Sequence, residues 1–145
     1  MAEDLVRGAS ALPRRLGRST LAVLAGFVAT AVVSVGTDQV LHMLRVYPPW
    51  GQPMEEPGLN LLALSYRIVY TIGGGYIAAR LAPRNPMRHA LALGVVGLVP
   101  SIAGVIVAIT AVHLGPIWYP IAIVLTAMPC VWLGGIIHGK FTSRK

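Results

Sequence analysis

Two ionisable residues lie inside apolar stretches of this sequence, and they are its strongest candidates for chemistry. Asp38 lies in the apolar run 19–44, and Arg67 interrupts the run 59–79. An isolated charge inside a membrane costs roughly 2.5–3.5 kcal/mol on insertion scales, and a hydrogen-bonded pair relieves most of that cost. At 1.5 Å per helical residue, both residues lie about 9–12 Å from the same end of consecutive helices. The sequence therefore predicts an Asp38–Arg67 ion pair.

Three further polar residues are predicted to join this pair. His42 follows Asp38 by one helical turn, and Tyr66 and Tyr70 lie within one turn of Arg67. Together the five residues form a candidate cluster for an ion pair or a bound ligand. The alternative is that the Arg67 side chain extends to the interface while Asp38 faces water at the mouth of the bundle.

Metal, haem and catalytic chemistry have less support in the sequence. Asp38 and His42 have the spacing of two metal ligands, but a third is missing. Haem ligation between helices would use histidine pairs, and here all of the histidines lie near predicted helix ends: His42, His89, His113 and His138. The single cysteine, Cys130, excludes an intramolecular disulfide. Since no catalytic motif is present, we expect no cofactor, no metal and no enzyme activity.

The elements that position these residues are predicted to be membrane helices. The 145 residues are 55% hydrophobic and 12% charged, with a mean hydropathy of +0.68, which excludes a disordered chain and is untypical of soluble domains. Residues 89–139 contain no Asp, Glu, Lys or Arg. A turn at residues 114–116 divides this stretch into two spans. The chain is thus predicted to be an all-α, up-down-up-down bundle of four transmembrane helices, about 19–44, 59–82, 88–112 and 116–139.

These helices form one membrane domain, 19–140, between a basic segment, 1–18, and a short basic tail, 141–145. Ten of the 12 cations would lie on one side of the membrane: Arg7, Arg14, Arg15, Arg18, Arg80, Arg84, Arg88, Lys140, Arg144 and Lys145. Because positive loops stay in the cytoplasm, both termini are predicted to be cytoplasmic, in a bacterial inner membrane. The net charge of +7 is explained by this topology, so no nucleic-acid partner is expected.

Small residues and prolines predict how the helices pack. Gly94, Gly97, Ser101 and Gly104 recur at steps of three and four, which predicts a seam where another helix approaches closely. Pro100 and Pro129 lie mid-span at similar predicted depth, and each frees a backbone carbonyl in the preceding turn. They are interpreted as static kinks or, alternatively, as a gate.

The connection between the first two spans is rich in proline and aromatic residues. Tyr47 and Trp50 in this connection, and Trp118 and Tyr119 beyond the third span, are typical of residues that anchor a protein at the membrane interface. The alternative interpretation is that this connection folds over the mouth of the bundle as a lid.

Two segments carry a family resemblance. YPPWGQPM (47–54) and YRIVYTIGGGYIAARLAPRNPMRHA (66–90) resemble segments of small bacterial four-helix integral membrane proteins to which no activity is assigned. The resemblance implies the fold and the membrane location but no activity. The size also resembles that of small multidrug exporters and fluoride channels, but the first span lacks a mid-membrane glutamate and the charge bias departs from dual topology.

The sequence favours a non-enzymatic membrane protein whose outward-facing polar cluster binds a small ligand or a membrane partner. A small oligomeric transporter or channel that uses Asp38 and Arg67 is the first alternative. A membrane-embedded enzyme or haem protein is the second. The expected partners are the lipid bilayer, a further copy of the chain or another membrane protein, and a small ligand of undetermined identity.

Overall fold

The chain folds into four α-helices. The structure is a computed structural model, and it describes residues 2–110 and 115–143, with side chains from residue 17 onward. The helices are α1 (Ala2–Met43), α2 (Pro57–Leu81), α3 (Pro86–Thr110) and α4 (Trp118–Thr142), and the described residues contain no strand. The predicted all-helical fold is confirmed. His113, the last two tail residues and the side chains of Arg7, Arg14 and Arg15 lie outside the described part.

Every helix contains a stretch long and apolar enough to cross a membrane. These stretches are Gly17–Met43, Pro57–Leu81, Pro86–Thr110 and Trp118–Thr142, each with 25 or more residues. Helix α1 begins at Ala2, well before the predicted start near residue 19, and continues through the basic segment. That segment is rich in Ala, Leu and Arg, which favour helices. A multi-pass membrane protein is thereby supported.

Helices α2 and α3 each contact all three of the other helices. Helices α1 and α4, by contrast, share no contact within the described residues. Residues late in α1 contact residues early in α2: Thr30 bonds to Tyr70, and Asp38 to Arg67. The same reversed order relates α3 to α4. The four helices therefore surround a central space, with α1 and α4 on opposite sides.

Helices α2 and α4 approach each other so closely that only glycine fits between them. A Cβ atom on Gly75 would lie 2.6 Å from the carbonyl oxygen of Val131, and one on Gly134 would lie 2.6 Å from the amide nitrogen of Tyr76. Such contacts are typical of membrane helices that pack through small residues. Beside them, Val131, Ala78 and Leu93 form a buried apolar cluster. This half of the bundle is consequently closed.

The connection after α1 turns back onto the bundle. Arg45 adopts the left-handed conformation, with φ of 57°, and the amides of Arg45 and Val46 donate to the carbonyls of His42 and Leu41. This arrangement is a Schellman motif, which ends a helix and satisfies its last carbonyls. The reversal brings the next residue, Tyr47, into the bundle, where it is only 5% exposed.

Candidate functional site

The structure brings Asp38 and Arg67 together. Nη2 of Arg67 donates to Oδ2 of Asp38 over 2.5 Å. The Asp38 side chain is 14% exposed and that of Arg67 is 33% exposed, so both charges lie largely away from solvent. Because the pair joins the end of α1 to the first half of α2, it neutralises two charges within apolar helices and fixes how the two helices align.

Two tyrosines extend the pair into a chain of hydrogen bonds. The Tyr66 hydroxyl donates to Oδ1 of Asp38, and the Tyr47 hydroxyl donates to that of Tyr66 over 3.3 Å. Burial raises the pKa of the Tyr47 phenol above its ordinary value, so this hydroxyl keeps its proton and remains a donor. The Arg67 guanidinium also lies 5.9 Å from the centre of the Tyr66 ring. Both carboxylate oxygens of Asp38 are therefore engaged.

Tyr70 and His42 lie beside this chain and not within it. Tyr70 packs against the Tyr66 ring at 5.6 Å between ring centres, and its hydroxyl lies 3.0 Å from that of Thr37. Nδ1 of His42 lies 2.7 Å from the carbonyl oxygen of Pro48, and its ring lies 3.9 Å from that of Trp50. His42 thus holds the 44–56 connection and packs against the Tyr47 ring, and within the described residues no hydrogen bond joins it to the ion pair.

Sequence reasoning missed two tyrosines of the site, because both had been interpreted as interfacial anchors. Tyr47 is buried and hydrogen-bonded to Tyr66, and Tyr119 of α4 lies within electrostatic range of Arg67. Neither position could be found from spacing along one helix, since each depends on a separate segment folding onto the pair. Their one sequence signal is the amphipathic character of tyrosine, which interfaces and buried polar clusters share.

A cavity of about 380 Å³ lies between the four helices, next to the ion pair. Arg67 is on its wall and is the one charged residue among the described residues that line it. Val35 of α1 and Pro100 and Gly104 of α3 line it as well, and all three are exposed. The cavity is therefore open to the exterior where it borders α1 and α3. Its volume is at the lower end of the range for small-molecule sites.

Some polar side chains of the cavity wall have hydrogen-bond partners and others do not. Ser101 and Thr126, on α3 and α4, donate to carbonyls of their own helices. Ser34 of α1, only 7% exposed, and Thr71 of α2 have no hydrogen-bond partner within the described residues. Nε of Arg67 is buried and has no partner there either. The unmet donors lie on the α1–α2 side of the cavity.

The small-residue seam of α3 lines this cavity. Gly94 packs against Met128 and Val131 of α4, but a Cβ atom on Gly97 or Gly104 would meet nothing within 4 Å. All four seam residues, including Ser101, border the cavity. The expected close helix contact is therefore found at Gly94 alone, because the outer part of α3 lies apart from α1.

The two prolines occupy different surroundings. Both lie inside continuous helices, Pro100 in α3 and Pro129 in α4. Pro100 borders the cavity, whereas Pro129 is exposed and does not line it. If the two prolines formed a gate, only Pro100 would thus be in contact with the cavity.

The described histidines and the cysteine do not converge on a metal. No group of three or more His, Cys, Asp or Glu residues lies close together in the part of the chain that the structure describes. Nδ1 of His89 lies 3.2 Å from the Asn85 carbonyl, and His138 contacts the edge of the Tyr76 ring. Cys130 is buried and free.

Comparisons of the chain with protein-family models, curated proteins and solved structures found no match. Its function must therefore be argued from the geometry of the site.

Proposed function

We propose that this chain is a non-enzymatic, multi-pass protein of a bacterial inner membrane that binds a small, mainly apolar ligand within the bilayer. The observation that supports the proposal is the cavity between the four helices, which is open beside α1 and α3 and has Arg67, paired to Asp38, at its wall. A molecule dissolved in the hydrocarbon core could enter between α1 and α3 without crossing an aqueous phase. Binding would exchange contacts with lipid for contacts with the apolar lining.

The proposed topology is an up-down-up-down bundle with both termini in the cytoplasm. Two observations support it. The contacts between α1 and α2 run in reversed order, and most cations lie in the N-terminal segment, the α2–α3 connection and the tail, which would share one side of the membrane. In this orientation the ion pair and the 44–56 connection lie near the periplasmic face. Ligand would then enter from the outer half of the bilayer.

Cysteine labelling of intact cells tests this topology. Gln52→Cys in the 44–56 connection should react with a membrane-impermeant maleimide in intact cells, since that connection would face the periplasm. Arg84→Cys, between α2 and α3, should react only after the inner membrane is permeabilised. Both residues are exposed, and the native Cys130 is buried, so background labelling should be low. Labelling of Arg84→Cys in intact cells would show that the orientation is opposite to the one proposed.

A substitution that fills the cavity should abolish ligand binding without loss of the fold. Leucine in place of Gly97 would extend into the cavity, because a Cβ there meets no atom within 4 Å. Benzophenone, a rigid apolar molecule that forms covalent bonds to nearby C–H groups under light, should label the parent protein in vesicles saturably. We expect saturable labelling to disappear in Gly97→Leu, as judged by intact-protein mass spectrometry.

The matched control is Gly36→Leu. Gly36 lies on exposed α1 surface, also has no atom near its Cβ position, and does not line the cavity. Its variant should retain saturable labelling. Equal labelling of Gly97→Leu and Gly36→Leu would show that benzophenone reacts from the lipid and would contradict the proposed function.

Transport is the second candidate function, and the position of Pro100 favours it. This proline borders the cavity in the part of α3 that lies apart from α1, where a missing backbone hydrogen bond would ease bending. The glycine contacts between α2 and α4 would have to loosen for a ligand to pass the closed half. Net movement of a bound molecule across the membrane of proteoliposomes would show that the protein transports its ligand and does not only bind it.

A further inference from the structure

We propose that the ligand is uncharged and carries a hydrogen-bond acceptor such as a ketone or quinone carbonyl, which the hydroxyls of Ser34 and Thr71 recognise. This inference rests on the proposed function, because it names the chemical class that the same cavity would select. Its basis is the distribution of hydroxyl donors without a partner around the cavity and the compensation of Arg67, the cation on the wall, by Asp38.

The acceptor is inferred from Ser34 and Thr71. A hydroxyl in a membrane helix ordinarily donates to a carbonyl of the preceding turn, as Ser101 and Thr126 do in this cavity. Ser34 is only 7% exposed, yet its hydroxyl makes no hydrogen bond within the described residues, and neither does the Thr71 hydroxyl. Both hydroxyls border the cavity without an acceptor from the described residues, so an acceptor from a ligand would stabilise both.

The two hydroxyls border the same side of the cavity. Ser34 lies on α1 between Thr30 and Asp38, which contact Tyr70 and Arg67 of α2 respectively. Thr71 follows Arg67 by four residues and so lies on the same face of α2. These contacts place Thr71 near the level of Thr30, about one helical turn from Ser34, so the two hydroxyls border neighbouring parts of the α1–α2 side of the cavity. The opposite side, from α3 and α4, includes Leu93, Pro100, Ile123 and Ala127 and would contact an apolar body.

The absence of a net charge on the ligand follows from the ion pair. Arg67 is the one charged residue among the described residues that line the cavity, and Asp38 already compensates it at 2.5 Å. An anionic ligand would either bring an unpaired charge into an apolar space or displace Asp38 from the guanidinium, and both are unfavourable. A neutral carbonyl meets the hydroxyls without disturbing the pair.

Photolabelling with benzophenone tests this inference, because benzophenone is neutral, has one carbonyl acceptor and suits the size of the cavity. The protein is reconstituted in vesicles, and the half-saturating probe concentration is expressed per mole of lipid. Loss of one hydrogen bond should raise this concentration roughly two- to twelvefold in Thr71→Val and in Ser34→Ala. Both substitutions remove a hydroxyl with little change in shape.

Thr126→Val is the matched control. Thr126 lines the same cavity, but its hydroxyl already donates to the Ala122 carbonyl of its own helix. Its variant should leave half-saturation unchanged. Diphenylmethane, which has the shape of benzophenone and no carbonyl, would lose both hydrogen bonds at once, so its half-inhibiting concentration should be roughly 4- to 140-fold higher.

The outcomes separate the two proposals. If diphenylmethane competes as well as benzophenone and Thr71→Val binds normally, the acceptor inference is overturned while the apolar binding site stands. Tighter labelling by the carboxylate derivative of benzophenone would overturn the uncharged class of ligand. Absence of any saturable labelling in the parent protein would overturn both the inference and the proposed function.

Discussion

Asp38→Asn should lower the free energy of unfolding by roughly 3 kcal/mol, at the low end of the cost of breaking a buried ion pair. Asparagine still offers an acceptor to Tyr66 and Arg67, so the loss comes mainly from the unpaired guanidinium. That group stays charged at any physiological pH. Arg67→Leu should cost less, because the remaining carboxylate keeps the Tyr66 hydrogen bond. Unfolding by SDS in mixed micelles gives both values.

The double variant Asp38→Asn/Arg67→Leu should recover stability to within about 1 kcal/mol of the parent, because it leaves no unpaired charge. Arg80→Leu is the matched control for loss of an arginine from α2, since Arg80 is exposed at the end of that helix. It should change stability little. If the losses in the two single variants simply add in the double variant, the pair contributes no coupling energy.

Gly134→Val should disrupt the contact between α2 and α4, with a loss of roughly 3 kcal/mol or more. A Cβ atom at this position would already lie 2.6 Å from the Tyr76 amide nitrogen and 2.9 Å from the Gly75 carbonyl carbon. Both are backbone atoms, so the collision is relieved only if the helices separate. The same SDS titration, together with gel filtration in detergent, measures the loss.

Gly139→Val provides the control for this substitution. Gly139 lies five residues later in α4, and a Cβ there meets no atom within 4 Å. Its variant should be as stable as the parent or slightly more so, because glycine is a poor helix former. Equal stability of the Gly134 and Gly139 variants would show that α2 and α4 do not pack through Gly134.

The sequence predicted the parts of this molecule that depend on single helices and on burial of charge. Four spans follow from apolar length, and the meeting of Asp38 with Arg67 follows from their matched depth and from the cost of isolated charge. The first residue of α1 could not be predicted in this way. The thickness of the membrane fixes the length of the apolar part of a helix, but it does not say how far the helix extends beyond the membrane. The structure continues α1 back to Ala2.

Contacts that require several segments to converge were not predictable from the sequence. Tyr47 reaches the site because the chain reverses at Arg45, a left-handed residue without the glycine that usually signals such a turn. Gly97 and Gly104 have the spacing of a packing seam, yet they border a cavity because α1 and α3 diverge beside them. The spacing of small residues specifies one face of a helix, but it does not say whether that face contacts another helix or borders a cavity.

The most direct test of the account is an experimental density map of the protein purified with its native lipids. We expect α1 and α3 to diverge beside Arg67, with Asp38 in contact with its guanidinium and non-protein density in the cavity next to Ser34 and Thr71. A map in which α1 and α3 pack together along their length, with Arg67 directed toward lipid headgroups, would contradict both the ion pair and the binding site.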